Sequence, residues 1–158
     1  MEQTIRESVW DYPRPPRVET TGRLVRVEFA DRVIAESSRS LRVLETSHPP
    51  VFYIPRSDIV ASFIRSSTRT SFCEFKGEAL YLDVVVEDRV ARDAGWEYPD
   101  PSRGFEALKD HVAFYPGRVD ACFVDGERVK PQEGGFYGGW ITAEIVGPFK
   151  GAAGTRGW

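Results

Sequence analysis

The residues best suited to chemistry surround a cysteine in the segment Ser71-Phe72-Cys73-Glu74-Phe75-Lys76-Gly77. Alternate side chains of a β-strand point to opposite faces, so Cys73 and Phe75 are predicted on one face and Lys76 on the other. A bend at Gly77 would bring the Lys76 ammonium near the thiol and favour the thiolate, the form that a nucleophile needs. The alternative is a buried, unreactive thiol, which is the commoner state of a free cysteine. Cys73 is thus one of two candidate catalytic residues.

Glu45 is the second candidate catalytic residue. It could serve as a base or as a ligand-binding carboxylate if it points inward beside Tyr53, and the alternative is a surface carboxylate paired with an arginine. Arg42 lies three positions earlier, on the opposite side of a flat strand, so the two converge only at a bulge or a strand end. Trp96 and Tyr98 belong to a series of aromatic residues, and a pocket lined by Trp and Tyr with a few polar groups is the usual form of a small-molecule site. The predicted ligand-binding residues are Arg42, Glu45, Tyr53, Cys73, Lys76, Trp96 and Tyr98.

The cysteine and histidine pattern indicates neither a metal site nor a cofactor site. Cys73, Cys122, His48 and His111 are scattered, without a Cys-x-x-Cys pair, whereas structural zinc sites use closely spaced ligands. The phosphate-binding loop, the dinucleotide fingerprint and the zinc-protease motif are also missing from the sequence. Either histidine could act as a base, but an isolated histidine is more often structural. We therefore predict no metal and no cofactor.

Charge and hydropathy limit the classes of partner. The 158 residues contain 21 basic and 24 acidic side chains, for a net charge of −3, which disfavours nucleic acid as the main partner. No stretch approaches the roughly 20 apolar residues of a spanning helix. The N-terminus lacks the basic and then apolar pattern of a signal peptide, so a cytoplasmic location with reduced thiols is expected.

The order of the elements predicts a mainly β protein. Apolar and charged residues alternate with period two over residues 25–29, as in a half-buried strand, and similar short strands follow along the chain. A helix is expected over residues 55–64, and a short helix beginning at Ser102 is expected to place Phe105 and Leu108 inward. Asp125-Gly126 is a favoured two-residue hairpin turn.

The chain is expected to form a single domain over residues 1–158. Its core would comprise about residues 22–132, preceded by a proline- and aromatic-rich arm over residues 1–21, with Trp10 and Tyr12 as anchors. A glycine- and aromatic-rich extension over residues 133–158 would pack on this domain or on a second subunit.

Motifs over about residues 24–130 together resemble one family, the domain-of-unknown-function 427 (DUF427) family. They are Ile34-Ala35-Glu36-Ser37, Leu44-Glu45, Tyr53-Ile54-Pro55 with Asp58, Thr70, Cys73, Lys76-Gly77, Tyr81, Ala94-Gly95-Trp96-Glu97-Tyr98-Pro99 and Val112-Ala113-Phe114-Tyr115. Glu74 and Leu82 depart from the usual residues. The resemblance implies a β-tent, two antiparallel sheets that meet over a cleft in an Mss4-like shape, here in a zinc-free version. The family is sometimes described as nucleotidyltransferase-like, but the sequence lacks the clustered carboxylates that such enzymes use to hold Mg²⁺.

The sequence is compatible with three functions. The first is a cleft that binds a small polar or aromatic ligand. The second is an enzyme acting on a nucleotide or a phosphorylated metabolite, with Cys73 or Glu45 as nucleophile or base. The third is a homo-oligomeric interaction module that uses the two terminal segments.

Overall fold

The computed structural model describes residues 6–158. Within this range the chain forms fifteen β-strands and four short 3-10 helices, and it contains no α-helix. The strands are β1 (Glu7–Ser8), β2 (Arg17–Thr20), β3 (Val25–Phe29), β4 (Arg32–Ser37), β5 (Leu41–Leu44), β6 (Val51–Pro55), β7 (Ile64–Cys73), β8 (Gly77–Val86), β9 (Arg89–Glu97), β10 (His111–Phe114), β11 (Ala121–Val124), β12 (Glu127–Arg128), β13 (Lys130–Pro131), β14 (Trp140–Ile141) and β15 (Ile145–Val146). The 3-10 helices are Val9–Asp11, Arg56–Asp58, Ala61–Phe63 and Glu106–Leu108.

Two antiparallel sheets form the body of the protein. The larger has seven strands in the order β2-β5-β6-β10-β9-β8-β7, and the smaller has four in the order β12-β11-β3-β4. Two further strand pairs are present: β1 with β15 joins the N-terminal segment to the C-terminal segment, and β13 pairs with β14 within the C-terminal part of the chain. The prediction of a mainly β fold with antiparallel sheets is confirmed.

The two faces of the seven-stranded sheet have different partners. One face packs against the four-stranded sheet, where Ile54 and Phe114 lie in the same apolar core as Val27. Because side chains alternate along a strand, the neighbouring residues Tyr53 and Tyr115 belong to a separate cluster on the other face. Core side chains thus fill the space between the sheets. An open cavity is found on the opposite, aromatic face of the large sheet.

The prediction of a helix over residues 55–64 is wrong. Two of the 3-10 helices occupy this segment, and its backbone groups bond to distant parts of the chain. The Arg56 N–H donates to the Asp110 carbonyl at 2.9 Å, and the Val60 N–H donates to the Ile34 carbonyl at 2.9 Å. In a helix over this range the Val60 N–H would donate to the Arg56 carbonyl, so its bond to Ile34 replaces a helical one, whereas the Arg56 N–H belongs to the first turn, which a helix leaves without an internal partner. The local apolar spacing therefore did not decide the conformation.

The predictions of a hairpin at Asp125-Gly126 and of a short helix from Ser102 had different outcomes. The hairpin is confirmed: β11 and β12 pair across Asp125 and Gly126, whose φ angles of 48° and 83° are those of a tight primed turn. The helix expected from Ser102 is only a single 3-10 turn, although Phe105 and Leu108 are buried as predicted.

The two terminal segments contact each other as well as the domain. Tyr12 is buried in a small cluster with Leu44 and Ile145, which confirms it as an anchor. Trp10 is more exposed, and its ring lies 5.2 Å from the ring of Trp158. In the described part of the chain, no helix has the length and apolar character needed to cross a membrane.

Candidate functional site

An open cavity of about 300 Å³ lies over the aromatic face of the seven-stranded sheet. Its floor comes from the sheet, and its sides come from the turn between β7 and β8, the loop between β5 and β6, and the segment that follows β13. Ligand cavities in proteins range upward from about 300 Å³, so this one suits a small molecule.

Five aromatic side chains form the floor of the cavity, and each is at most 7% exposed: Tyr53, Tyr81, Trp96, Tyr98 and Tyr115. The Trp96 indole N–H donates to the Tyr53 hydroxyl at 3.3 Å. The Trp96 ring also lies 4.6 Å from that of Tyr115, within the range of favourable aromatic pairs. The rings hold one another in place, so the cavity has a fixed apolar surface before any ligand binds.

Lys76 supplies a buried positive charge at the cavity. The residue is only 9% exposed, and it forms no ion pair with any of residues 6–158. Its ammonium lies 6.0 Å from the centre of the Tyr98 ring. Burial works to lower the pKa of Lys76, but the neighbouring Tyr53, Cys73 and Glu45 outweigh it and raise the pKa above its ordinary value. The group is therefore a cation at neutral pH.

The turn between β7 and β8 places Lys76 beside Cys73. The prediction that these residues occupy opposite faces is wrong, because β7 ends at Cys73 and residues 74–76 form a turn in which strand alternation does not apply. The expected bend at Gly77 is present, with a φ angle of 107° in the region that glycine tolerates best. The Ser102 N–H donates to the Lys76 carbonyl at 2.9 Å and fixes the turn.

The two cysteines have different environments. Cys73 is partly exposed and lines the cavity. Cys122 is 1% exposed within the core between the sheets, and burial raises the pKa of its thiol well above the ordinary value. Cys73 is thus the only one of the two thiols placed to meet a ligand.

Glu45 and His48 come together on the loop between β5 and β6, and both line the cavity. A carboxylate oxygen of Glu45 lies 3.2 Å from Nη2 of Arg14 and 3.8 Å from Nε2 of His48. Burial lowers the pKa of His48 to about 4, opposed by Glu45 and assisted by the charge of Lys150. His48 is accordingly a neutral imidazole at neutral pH. His48 was not among the predicted ligand-binding residues. The sequence did carry a signal for it, because His48 lies three residues after Glu45 and directly before a Pro-Pro break.

Arg42 lies outside the cavity, unlike the other six predicted ligand-binding residues. It pairs in register with Phe52, which faces the core between the sheets, whereas the next residue of β6, Tyr53, faces the cavity. The Arg42 guanidinium donates to Glu7 at 2.8 and 3.0 Å and to Glu19 at 2.5 Å. Arg42 therefore forms an ion-pair network at the edge of the sheet.

The C-terminal part of the chain contributes lining residues that sequence reasoning missed: Gln132, Phe136, Tyr137, Gly138 and Lys150. Gly138 packs directly on the Trp96 ring, where a Cβ atom would lie only 2.7 Å from Cζ3. The Lys150 ammonium lies 5.5 Å from the centre of the Tyr137 ring. The only sequence signal for this wall was the mixture of glycine and aromatic residues.

The structure does not supply a cluster of metal-binding side chains in the range that it describes. Among residues 6–158, no three or more His, Cys, Asp or Glu side chains are grouped so that they could hold a metal ion.

These features define a class of protein. It is a mainly β domain that has, on one face of a sheet, a cavity with an aromatic floor and room for a small molecule. The chain belongs to the family described as Domain of unknown function (DUF427), whose model matches residues 17–125. This match confirms the resemblance found in the sequence and spans β2 to β11. No curated protein matches the chain.

Proposed function

We propose that this protein binds a small polar or aromatic ligand in the cavity over the seven-stranded sheet. The observation that carries the proposal is a cavity of about 300 Å³ whose floor consists of five nearly buried aromatic rings and whose wall holds a lysine without an ion pair among residues 6–158. Preformed apolar surface with a few polar groups is typical of ligand sites, because the rings provide contact area and the polar groups provide orientation.

The floor and the walls of the cavity have different roles in this proposal. Ring faces of Trp96 and Tyr98 provide the stacking surface. Lys76 fixes a polar group of the ligand, and Glu45 and the neutral His48 provide an acceptor and a donor at the end of the cavity near β5. A cytoplasmic location and a small molecule as the main partner, instead of nucleic acid or a membrane, remain part of the proposal.

Native mass spectrometry on freshly purified protein tests this function. We expect a retained small molecule in the wild-type protein and none in Val51→Phe, which enlarges a half-buried side chain that lines the cavity. Val60→Phe makes the same change at a side chain that is 43% exposed and outside the cavity, and it should keep the molecule. An empty wild-type protein that also binds no member of a panel of small aromatic compounds would overturn the proposal.

A second candidate function is an enzyme that uses Cys73, because the thiol lines the same cavity beside the Lys76 ammonium. The nucleotidyltransferase-like description of the family makes nucleoside triphosphates the first substrates to try. Incubation with each nucleoside triphosphate, followed by mass spectrometry of protein and nucleotide, tests this candidate. In this candidate the Cys73 thiolate attacks the α-phosphorus of the nucleotide, the bond to the β-phosphate oxygen breaks, and pyrophosphate leaves. It predicts release of pyrophosphate or a nucleoside monophosphate adduct on the Cys73 peptide, and Cys73→Ser should abolish either product.

A further inference from the structure

Two of the four lysines of this chain line the cavity. The lysines are Lys76, Lys109, Lys130 and Lys150, and the cavity contains Lys76 and Lys150. Lys76 lies within the segment matched by the family model, whereas Lys150 lies 25 residues beyond its end at residue 125. The second cation of the cavity is therefore an addition of this chain to the matched segment.

The backbone of Lys150 is held in place from both sides. Its N–H donates to the Ser47 carbonyl at 2.8 Å, and its own carbonyl accepts from Nε2 of Gln132 at 2.7 Å. These bonds join the C-terminal segment to the loop between β5 and β6 and to the segment after β13. The ammonium then lies over the Tyr137 ring at the cavity, so its position is built into the fold and does not belong to a loose tail.

In the described part of the chain, neither ammonium group is paired directly with a carboxylate. Neither Lys76 nor Lys150 forms an ion pair within residues 6–158. Of the two glutamates that line the cavity, Glu45 is bound to Arg14 at 3.2 Å and Glu74 is exposed at the rim. A cation that is nine-tenths buried, like Lys76, carries a desolvation cost that a bound anion offsets.

We propose that Lys76 and Lys150 together bind an oxyanion, so that the ligand is a small aromatic compound bearing a carboxylate or a phosphate. The ring of this ligand lies against the aromatic floor, and its oxygens accept from the two ammonium groups. The inference rests on the proposed function and deepens it, because it names the ligand class and makes the C-terminal extension part of the site.

The test uses three probes that share one ring and differ in charge: benzoate, phenyl phosphate and the neutral benzamide. Their dissociation constants are measured by the change in tryptophan fluorescence and checked by NMR. A charge-assisted hydrogen bond contributes about 1.5–3 kcal/mol, so at least one of the two anions should bind about 10-fold or more tightly than benzamide. The stronger of the two anions identifies the oxyanion that the site prefers.

Substitutions of the two lysines test whether they cause the preference for an anion over benzamide. Lys76→Gln and Lys150→Gln should each reduce the anion preference several-fold, whereas Lys150→Arg, which keeps the charge, should retain most of it. Lys109→Gln removes an exposed lysine outside the cavity and should leave all three constants unchanged. Thermal unfolding of each variant confirms that the comparison is made on folded protein.

The outcomes separate the two proposals. Equal binding of benzamide and both anions would overturn the oxyanion site and leave the aromatic ligand site standing. Full anion preference in Lys150→Gln would show that the extension does not take part, and would equally overturn the inference. Absence of binding for all three probes, together with an empty protein in native mass spectrometry, would overturn the proposed function itself.

Discussion

The side-chain amide of Gln132 holds His48 in one tautomer, with Nε2 of Gln132 lying 3.2 Å from Nδ1 of His48. The amide orientation is set by its other bonds, because its oxygen accepts from the Gly139 N–H at 3.1 Å and its nitrogen donates to the Lys150 carbonyl at 2.7 Å. An amide nitrogen only donates, so Nδ1 must accept. The proton of the neutral ring therefore lies on Nε2, which faces Glu45 at 3.8 Å.

Protonation of His48 should reduce folding stability below neutral pH. Its folded-state pKa of about 4 lies below the ordinary value of 6.5, so the unfolded chain binds the proton more readily. The contribution of His48 to stability is fully present above pH 6.5 and is lost as the pH falls toward 4. Between pH 7.5 and 5 we expect a loss of about 2 kcal/mol from this residue, measured by urea unfolding.

Two variants isolate this effect. His48→Gln should lose less stability over the same pH range than the wild-type protein, because it lacks the titrating imidazole. His111→Gln is the matched control, because it makes the same substitution at a histidine that does not line the cavity, and the reduced loss should be specific to His48→Gln. Identical pH profiles for His48→Gln and the wild-type protein would contradict the prediction.

Replacement of Gly138 should disturb the floor of the cavity. In Gly138→Ala the new methyl group would lie 2.7 Å from Cζ3 of Trp96, so the buried indole or the C-terminal segment must shift. Overpacking of this kind costs about 1–3 kcal/mol of unfolding free energy, and the tryptophan emission should change with it. Gly22→Ala is the control, since a Cβ there meets no atom within 4 Å. Equal stability of the two variants would count against this packing.

Arg42 should matter for stability and not for ligand binding. Its side chain is only 16% exposed and is bonded to Glu7 and Glu19, so Arg42→Gln should destabilise the fold by about 2 kcal/mol in denaturant unfolding. The Arg42 hydrogen bond is the main reason that the pKa of Glu7 lies below its ordinary 4.5. The stability that Glu7 contributes is present above pH 4.5 and is lost as the pH falls below that value.

Binding measurements on the same variant provide the contrast with Lys76. Arg42→Gln should bind benzoate, phenyl phosphate and benzamide with wild-type constants, because Arg42 lies outside the cavity. A several-fold loss of anion binding in folded Arg42→Gln would place Arg42 in the site and refute the separation seen in the structure.

The two thiols should differ in reactivity towards iodoacetamide. Cys73 lines the cavity and is partly exposed, whereas Cys122 is buried with a raised pKa. Mass spectrometry of the native protein should show a single label on the Cys73 peptide, with Cys122 labelled only in denaturant. Cys73→Ser should remain unlabelled under native conditions. Labelling of Cys122 first would contradict the assignment of the two environments.

Much of the β structure could be predicted from local sequence. Strand β3 coincides with the alternating segment 25–29, and the Asp125-Gly126 turn joins β11 and β12 as expected. Period-two alternation and turn chemistry act over a few residues, so they can be read without knowledge of the fold. The same reasoning failed over residues 55–64, where the Val60 N–H donates to the distant Ile34 carbonyl and not to a carbonyl one helical turn earlier.

The sequence by itself determined which residues are aromatic, charged and alternating, and from these it indicated a mainly β domain and six of the residues that line the cavity. Only the tertiary structure decided that Arg42 faces away from this cavity and that Lys150 completes its wall. The physical reason is distance along the chain. His48 and Gln132 are 84 residues apart and meet only when the C-terminal segment packs over the sheet, a contact that no local periodicity encodes.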